Sequence, residues 1–460
     1  MSSPSPAQAA LQGRPARPIR VGMVSLGCAK NLVDSEVMLG LLARNGCELV
    51  TEPSEADVIV VNTCSFIGPA KEESIETILE MAQYKKVGKC RALIVAGCMG
   101  TRYKDELMAE MPEIDAVIGT GEVDQIPGVV ARVLQGERFV QAGVPSYLYD
   151  HQAPRIRATL PHTAFVKISE GCNHPCAFCI IPSVRGRHRS RPIESVVEET
   201  RRLAEEGVRE VVLIAQDTTW YGKDLYGEFK LAELLRALAK VDGVEWLRLF
   251  YAYPTHLSDE VLDVIATEPR LCKYIELPLQ HASDRVLRAM RRKGDRKFID
   301  QLIERIRSRI PGVALRSSFI VGFPGETERD FEELLEFIQA VRFDHVGIFA
   351  YSQEEGTPAA EFPGQIPEEV KEERRAAAME VQRRISRSIN EELVGRTFNM
   401  IIDGPSEESD LVLVARSQRQ APEIDGVTYV ANRFVERGRI VPVRVVEAHD
   451  YDLVGEVEGD

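Results

Sequence analysis

The first third of the chain repeats short apolar runs, each followed by a helical period. The apolar runs cover residues 21–28 (VGMVSLGC), 57–64 (DVIVVNTC) and 91–98 (RALIVAGC). Their length and β-branched content are typical of buried strands. Apolar residues at helical spacing follow the first two runs, namely Val33, Val37 and Leu41, then Ile75, Ile78, Leu79 and Ala82. The alternation predicts an N-terminal parallel βα domain.

A longer series of the same kind covers residues 158–390. Strand-like segments occur at 165–171, 210–217, 246–253, 274–279, 315–322 and 345–351, with amphipathic helical patterns between them. One of these helices is predicted to begin with a capping box at Ser195 and Glu198 and to end near Gly207. Because a complete barrel of this type has eight βα units, the series predicts a partial (β/α)6 barrel.

The last quarter of the chain changes in character. Residues 368–393 are rich in Glu, Arg and Ala, and they predict a solvated helix that joins domains. Beyond Gly395, alternating segments separated by Gly and Pro predict a small antiparallel β-barrel. The predicted organisation is α/β and multidomain, with a flexible tail (1–19), an N-terminal domain (20–135), a linker (136–157), the partial barrel (158–390) and the C-terminal barrel (391–460).

Composition narrows the class of protein. The 460 residues are 44% hydrophobic and 28% charged, which is typical of a soluble globular protein with several domains. The sequence contains no apolar stretch of bilayer length, and its first twenty residues lack the apolar region of a secretory signal, so we expect a cytoplasmic protein with no membrane contact. Six of the nine cysteines fall into two metal-like sets, which favours a reducing compartment over disulfides.

The first set is the run Cys172-Asn-His-Pro-Cys176-Ala-Phe-Cys179, whose members we call the loop cysteines. Three thiolate ligands leave one iron of an iron-sulfur cluster open to a small chelating molecule, whereas electron carriers normally close all four positions with Cys. The spacing, with Phe178 before the last Cys, resembles the signature of the radical S-adenosylmethionine (radical SAM) enzymes. The alternative is a zinc site completed by His174 or by a distant Cys.

The second set comprises Cys28, Cys64 and Cys98, the strand-end cysteines, which end the three predicted N-terminal strands. Their separations of 36 and 34 residues each match one βα unit. Parallel strands present their carboxyl ends at one edge of the sheet, where ligands gather, so we expect a second three-cysteine cluster there. The remaining three cysteines, Cys47, Cys90 and Cys272, are predicted to be buried or incidental thiols.

Other candidate contacts follow from the predicted barrel, in which the chemistry lies at the carboxyl ends of the strands. Polar residues end the later strands, namely Gln216, Asp217, Gln280, His281, Ser318 and the segment 322–326. From these ends and the loop we predict five SAM contacts, Phe178, Gln216, Asp217, Gly322 and Glu326. The alternative for each is an ordinary role in a loop, cap or turn.

Charge distinguishes between substrate classes. Residues 392–460 contain fourteen acidic side chains and seven arginines, a formal charge of −7, which is half of the −14 of the whole chain. A domain that binds RNA phosphates is normally basic, whereas an acidic domain suits a basic protein partner. The alternative is that the acidity only aids solubility.

Together these features resemble the methylthiotransferase family of radical SAM enzymes over residues 20–458. That family joins a three-cysteine domain, a radical SAM core and a TRAM β-barrel in this order. The runs SLGCAKNLVDSE from Ser25, ISEGCNHPCAFCIIPSVRG from Ile168 and ARSQRQAPEIDG from Ala415 resemble its RimO branch, although Ala29 stands where that branch is expected to have Pro. The RimO branch modifies an aspartate of a small-subunit ribosomal protein. Alternatives are the MiaB type, which modifies a tRNA adenosine, and a non-catalytic iron-sulfur scaffold.

The resemblance implies a transferase with SAM and two 4Fe-4S clusters, one on each cysteine set. SAM cleaved at the loop-cysteine cluster would give a 5'-deoxyadenosyl radical that abstracts hydrogen from the aspartate β-carbon, and the other cluster would supply the methylthio group. The implied partners are a basic small-subunit ribosomal protein and a low-potential electron donor such as flavodoxin or ferredoxin, with no requirement for nucleic acid. It assigns no catalytic residue beyond the six cysteine ligands.

Overall fold

The computed structural model describes residues 17–459. The predicted flexible tail therefore lies almost wholly outside the described residues. Within the described range, no helix is both long and apolar enough to cross a membrane.

The N-terminal part is a parallel sheet of six strands, as the βα alternation predicts. In the order β2-β1-β3-β4-β5-β6, its strands are β1 (Arg20–Ser25), β2 (Glu48–Val50), β3 (Val58–Thr63), β4 (Ala92–Gly97), β5 (Ala116–Ile118) and β6 (Phe139–Gln141). The helices are α1 (Ala29–Arg44), α2 (Gly68–Val87), α3 (Cys98–Glu110) and α4 (Ile126–Leu134). Every residue of β3 and β4 is buried, which explains their continuous apolar runs.

Two details of this part differ from the sequence pattern. Strand β6 lies within the segment predicted to be a linker, yet it extends the sheet by pairing with β5. In α2, Ile78 and Ala82 are buried, but Ile75 and Leu79 are 41% and 44% exposed. The buried stripe of α2 is therefore narrower than the apolar spacing suggests.

The middle of the chain forms the predicted partial barrel. Its parallel strands are β7 (Thr163–Lys167), β10 (Glu210–Ile214), β11 (Trp246–Leu249), β12 (Tyr274–Glu276), β13 (Ala314–Val321) and β14 (His345–Ala350). They form two three-stranded sheets, β11-β10-β7 and β12-β13-β14, joined by a bridge between Leu247 and Leu271. Alternate residues of β10 and β11, such as Val211 and Leu247, pack under the outer helices, while their neighbours Val212 and Trp246 face the same core as α1.

Helices and a short hairpin connect these strands. They are β8 (Ser169–Glu170), α5 (Ile181–Arg185), β9 (Arg189–Ser190), α6 (Ile193–Glu205), α7 (Lys223–Tyr226), α8 (Leu231–Leu238), α9 (Asp259–Thr267), α10 (Asp284–Ala289), α11 (Arg296–Arg309) and α12 (Glu328–Val341). The capping box predicted at Ser195 is wrong, because α6 begins after Pro192 and the Ser195 hydroxyl accepts instead from Arg191 at 3.0 Å. A capping box does open α12, between Thr327 and Asp330.

The charged helix α13 (Glu368–Glu391) differs from the solvated linker that its composition predicts. One side of it is buried against β14 and α12, including the side chains of Lys371, Arg374 and Gln382. Arg374 donates to the buried carboxylate of Glu326 at 2.8 Å. Each of these three polar side chains therefore has at least one hydrogen-bond partner within the protein, which a hydrophobic pattern cannot reveal.

The C-terminal part is a closed five-stranded barrel, which confirms the prediction. Its strands, in the order β15-β16-β17-β19-β18, are β15 (Thr397–Pro405), β16 (Leu413–Ser417), β17 (Thr428–Val430), β18 (Ile440–Ala448) and β19 (Leu453–Val457). All neighbouring pairs are antiparallel except β17 and β19, which run parallel.

The C-terminal barrel closes the amino-terminal end of the partial barrel. Polar pairs cross this junction, namely His162 with Asp403 (2.8 Å), Glu210 with Arg416 (2.7 Å), Tyr274 with Asp425 (2.8 Å) and Arg316 with Asp425 (2.5 Å). Both Arg416 and Asp425 belong to the segment 415–426 that resembles the RimO branch. The carboxyl-terminal ends of the barrel strands lie at the opposite end, which remains available for the active site.

Candidate active site

The loop cysteines follow β7 and the short strand β8. Gly171 precedes them with a φ of 81°, and a side chain at this position would meet the Arg187 carbonyl oxygen at 2.2 Å. The next residue, Cys172, donates its backbone N–H to the Gly186 oxygen at 3.1 Å. Only glycine allows this close approach, so the sequence Gly171-Cys172 fixes where the loop begins.

The three loop thiols share one environment. Cys176 is buried, while Cys172 and Cys179 are half-buried. Burial, followed by the charge of Asp217 and by Cys176, raises the pKa of Cys172 to about 12. Burial and Cys176 also raise the pKa of Cys179. A thiolate is the form of cysteine that binds metal, and iron that binds to closely spaced thiols stabilises their deprotonated form. The donor set therefore fits a cluster.

The strand-end cysteines also come together. Cys28 caps the start of α1, Cys64 follows β3, and Cys98 begins α3. A side chain on Gly27 would lie 2.8 Å from the Cys64 Cβ and 3.1 Å from its Sγ. Burial, with Cys98 as the next cause, raises the pKa of Cys64 to about 11. The predicted edge of the sheet thus gathers all three thiols, and this donor set fits a cluster in the same way.

The other cysteines lie elsewhere. Cys90 and Cys272 are buried, at 6% and 2% exposure, and Cys47 is half-buried. Burial raises the pKa of each of these three thiols. This placement agrees with small, apolar thiols that have no role at a metal.

A buried arginine joins the two cysteine sets. Arg185, at the end of α5, donates to Asp34 at 2.6 Å and to the Asn31 side chain at 2.9 Å. Both acceptors belong to α1, the helix that Cys28 caps. Desolvation opposes ionisation of Cys28, but Lys30 and Arg185 lower the pKa of its thiol below the ordinary value. Because α5 follows the loop cysteines directly, Arg185 brings a positive charge from the barrel to the strand-end set.

The same network holds the two domains together. Lys167, at the end of β7, donates to Asp34 of α1 and to Glu170, each at 2.5 Å, and all three side chains are buried. Desolvation raises the pKa of Glu170, but Lys167 and Arg185 outweigh it and lower that pKa to about 2. Sequence analysis missed this network, although a lysine ending the apolar strand β7 was a visible signal.

The predicted SAM contacts lie at the carboxyl ends of the barrel strands, but most of their polar atoms have protein partners. Gln216 donates to Glu170 at 2.6 Å, and Asp217 pairs with His174 at 2.6 Å. The Glu326 carboxylate accepts the Gly322 N–H at 3.0 Å. These contacts correspond to the loop and cap roles held open as alternatives, and the assignment to SAM stays a prediction.

The remaining candidates are also packed within the protein. Phe178 lies against a small apolar cluster that contains Met290, Phe323 and Tyr351. A side chain on Gly322, whose φ is 72°, would meet the Lys371 side chain at 2.3 Å. His281 is completely buried, with its Nε2 3.3 Å from the Glu326 carboxylate.

One form of the zinc alternative used His174 as the fourth ligand. The His174 Nε2 is instead paired with Asp217, and the imidazole is stacked on the ring of Tyr253 with centroids 3.7 Å apart. His256 lies beside them, with a centroid distance of 5.5 Å to His174. His174 is thus fixed beside the loop cysteines by contacts of its own.

A groove of about 690 Å³ opens between the N-terminal domain and the segment after α5. Its lining includes Thr101 of α3, the helix that begins with Cys98, and Gly186, whose oxygen accepts from Cys172. Three cations, Lys104, Arg187 and Arg189, also line it. The groove therefore borders a helix and a loop that are each connected to one of the cysteine sets.

Relatives of known name match nearly the whole chain. Two proteins named ribosomal protein uS12 methylthiotransferase RimO are 51% and 52% identical to it. The first, from Heliobacterium modesticaldum, aligns over 438 residues, 95% of either chain, and the second, from Symbiobacterium thermophilum, over 443 residues, 96% of this chain and 91% of the relative. The chain belongs to the RimO family. This membership confirms the predicted branch, and the tRNA-modifying and scaffold alternatives are not favoured.

Domain families match the three parts of this RimO-family chain. Residues 20–119 match the uncharacterized protein family UPF0004, residues 166–338 the radical SAM superfamily and residues 394–457 the TRAM domain. The radical SAM match implies a 4Fe-4S cluster and SAM. A solved radical S-adenosylmethionine methyltransferase, TsrM from Kitasatospora setae, shares the fold with a TM-score of 0.55 at 14% identity, over 84% of this chain and 79% of its own.

Proposed function

We propose that this RimO-family protein transfers a methylthio group to the β-carbon of an aspartate in ribosomal protein uS12. The relatives that carry that name share about half of their residues with it over 95% of its length. The observation that carries the proposal is the position of Arg185, which follows the loop cysteines in sequence and donates to Asp34 and Asn31 of α1. This helix is the one that Cys28, a strand-end cysteine, caps. Two cysteine sets joined in this way suit two cofactors that act on one substrate.

The six cysteines have distinct roles in this proposal. Cys172, Cys176 and Cys179 would hold the SAM cluster, and Cys28, Cys64 and Cys98 would hold an auxiliary cluster. When bound, these groups supply the electron that cleaves SAM and the sulfur that becomes the methylthio group. A low-potential donor such as flavodoxin or ferredoxin would provide the electron, and action on uS12 places the protein in the cytoplasm.

The protein's own residues hold the two cysteine sets in a fixed position relative to one another. The buried network of Lys167, Asp34 and Glu170 fixes the N-terminal domain against the barrel. At the same junction Lys30 of α1 lies over the ring of Tyr251, 3.3 Å from its centroid, and Tyr251 follows β11. Two domains held by buried charged contacts keep their relative geometry during a reaction, because moving them apart would leave charges unpaired.

The decisive experiment is anaerobic reconstitution followed by mass spectrometry of uS12. Incubation with SAM, a strong reductant and a sulfur source should add a methylthio mass to one aspartate. Replacing the three loop cysteines with Ala should leave one cluster by iron and sulfide analysis, and should abolish 5'-deoxyadenosine formation. Replacing the strand-end cysteines should spare 5'-deoxyadenosine formation but abolish methylthiolation.

The variant Cys47→Ala is the matched control, because Cys47 is half-buried and belongs to neither set. It should keep both clusters and full activity. If the loop-cysteine variant kept both clusters, or lost both, the assignment of one cluster to each set would be wrong. If uS12 gained no methylthio group in the presence of two intact clusters, the substrate assignment would be wrong.

A further inference from the structure

An arginine outside the predicted ligand set contacts one of the loop cysteines. Arg292 follows α10, and its Nη1 lies 3.8 Å from the Cys176 Sγ. Its Nη2 donates to the Pro278 carbonyl at 2.5 Å, and its guanidinium lies 4.2 Å from the ring centroid of Tyr253. The guanidinium is therefore held by three different contacts.

The stack continues to the cysteine loop itself. The other partner of Tyr253 is His174, whose ring is nearly parallel to it, with an angle of 6° and a centroid distance of 3.7 Å. His174 pairs with Asp217 at 2.6 Å, and Asp217 also accepts the Thr219 N–H at 2.8 Å. Because His174 lies between Cys172 and Cys176 in sequence, the arginine and the loop are fixed relative to one another.

The backbone around Arg292 is fixed as well. The Met290 oxygen accepts the Ala177 N–H at 2.9 Å, which ties the end of α10 to the cysteine loop. Arg292 donates its own N–H to the Leu287 oxygen at 2.9 Å. A guanidinium anchored at both its backbone and its side chain loses little further entropy when it donates to a sulfur.

The charge of Arg292 is not neutralised locally. Across residues 17–459, no carboxylate oxygen lies within 4.0 Å of its guanidinium, although most arginines of this acidic chain have such a partner. Its positive charge therefore lies beside the Cys176 sulfur without a carboxylate to neutralise it.

We propose that Arg292 sets the reduction potential of the cluster on the loop cysteines by donating a hydrogen bond to the Cys176 sulfur. This inference rests on the proposed function, in which these cysteines hold the SAM cluster. Reduction adds one electron, taken from an external low-potential reductant, and no covalent bond of the protein changes. Hydrogen bonds to ligand sulfurs and nearby cations stabilise the more negative state, so Arg292 raises the potential.

The test is an anaerobic redox titration of the reconstituted full-length protein, followed by electron paramagnetic resonance. The signal that changes on addition of SAM identifies the loop-cysteine cluster. In Arg292→Met the ratio of reduced to oxidised cluster at a fixed solution potential should fall about tenfold, which for a one-electron couple is a shift of about 59 mV to lower potential. Lys293→Met removes an exposed neighbouring cation as the control, and its potential should equal that of the parent.

Arg292→Lys keeps the charge but cannot donate to Pro278 and Cys176 together, so its potential should lie between those of the parent and the Met variant. It also decides the question if the Met variant fails to bind the cluster. An unchanged potential in Arg292→Met, or in Arg292→Lys if only that variant binds the cluster, would overturn the inference and leave the cysteine assignment intact. Failure of the cysteine assignment is seen separately, as a wrong cluster count in the loop-cysteine variant.

Discussion

Arg416 makes one of the buried ion pairs at the junction between the two barrels, and its replacement gives a quantitative prediction. The Arg416 Nη2 donates to Glu210 at 2.7 Å, and its Nε donates to Asp403 at 2.6 Å. Glu210 is completely buried and keeps only Arg248, at 3.0 Å, as a charged partner once Arg416 is removed. Removing one member of a buried ion pair typically costs about 3–5 kcal/mol, so Arg416→Met should destabilise the junction by about that amount.

Urea unfolding of the full chain, followed by tryptophan fluorescence, measures this cost. Both tryptophans, Trp220 and Trp246, lie in the partial barrel, so the signal reports the domain that loses its partner. The control Arg416→Lys retains the charge but cannot reach both acids in the same geometry, and it should lose roughly half as much stability. Transition midpoints of both variants within experimental error of the parent would refute the view that this ion network stabilises the junction.

Three further predictions concern other parts of the chain. Iron analysis of Gly97→Ala should show loss of the auxiliary cluster but not of the SAM cluster, because the new Cβ would lie 2.3 Å from the Asn62 Oδ1. The control is Gly136→Ala, which has a similar backbone φ but no atom within 4 Å of the new Cβ, and it should keep both clusters. Desolvation opposes ionisation of Glu210, but Arg416 and Arg248 lower the pKa of this carboxyl below its ordinary value of 4.5. The ionised Glu210 therefore contributes fully to the stability of the fold above pH 4.5, and this contribution is lost as the pH falls through the lower pKa of the folded state. The urea midpoint measured against pH should therefore be flat near neutrality and fall in acid, and a midpoint that rises in acid would contradict this sign. The third change replaces three exposed acids of the C-terminal barrel, Glu407, Glu408 and Asp410, with Lys. It should raise the KM for uS12 and reduce the salt dependence of that KM, while SAM cleavage without substrate is unchanged. An unchanged KM would exclude these acids from substrate recognition.

The sequence predicted the parts of the fold that follow a local period. The strands that end in Cys28, Cys64 and Cys98 are long and apolar, and the structure places them side by side as expected. The strands of the same sheet that were missed, β2, β5 and β6, have only three residues each. A run of three residues shows no period that distinguishes a strand from a loop.

Sequence patterns did not predict the contacts that surround the cysteines of the candidate site. Glu326 lies in the segment that follows β13 and was predicted to contact SAM, but its partner Arg374 comes from a helix 48 residues later. Arg185 contacts Asp34 across 151 residues. Partners so distant in sequence leave no local signal, whereas the three closely spaced cysteines of one loop do. For this reason the cysteine sets were recognisable, and the network that surrounds them was not.

The junction between the two barrels also sets an order of events during synthesis. Arg416 is made 206 residues after Glu210, its partner. At about 5–20 residues per second, a nascent chain waits on the order of 10–40 s with Glu210 and Arg248 lacking this partner. A chain truncated before residue 416 would never complete the pair. The ion pair between Glu210 and Arg416 can therefore form only when the ribosome has synthesised the start of the last tenth of the chain.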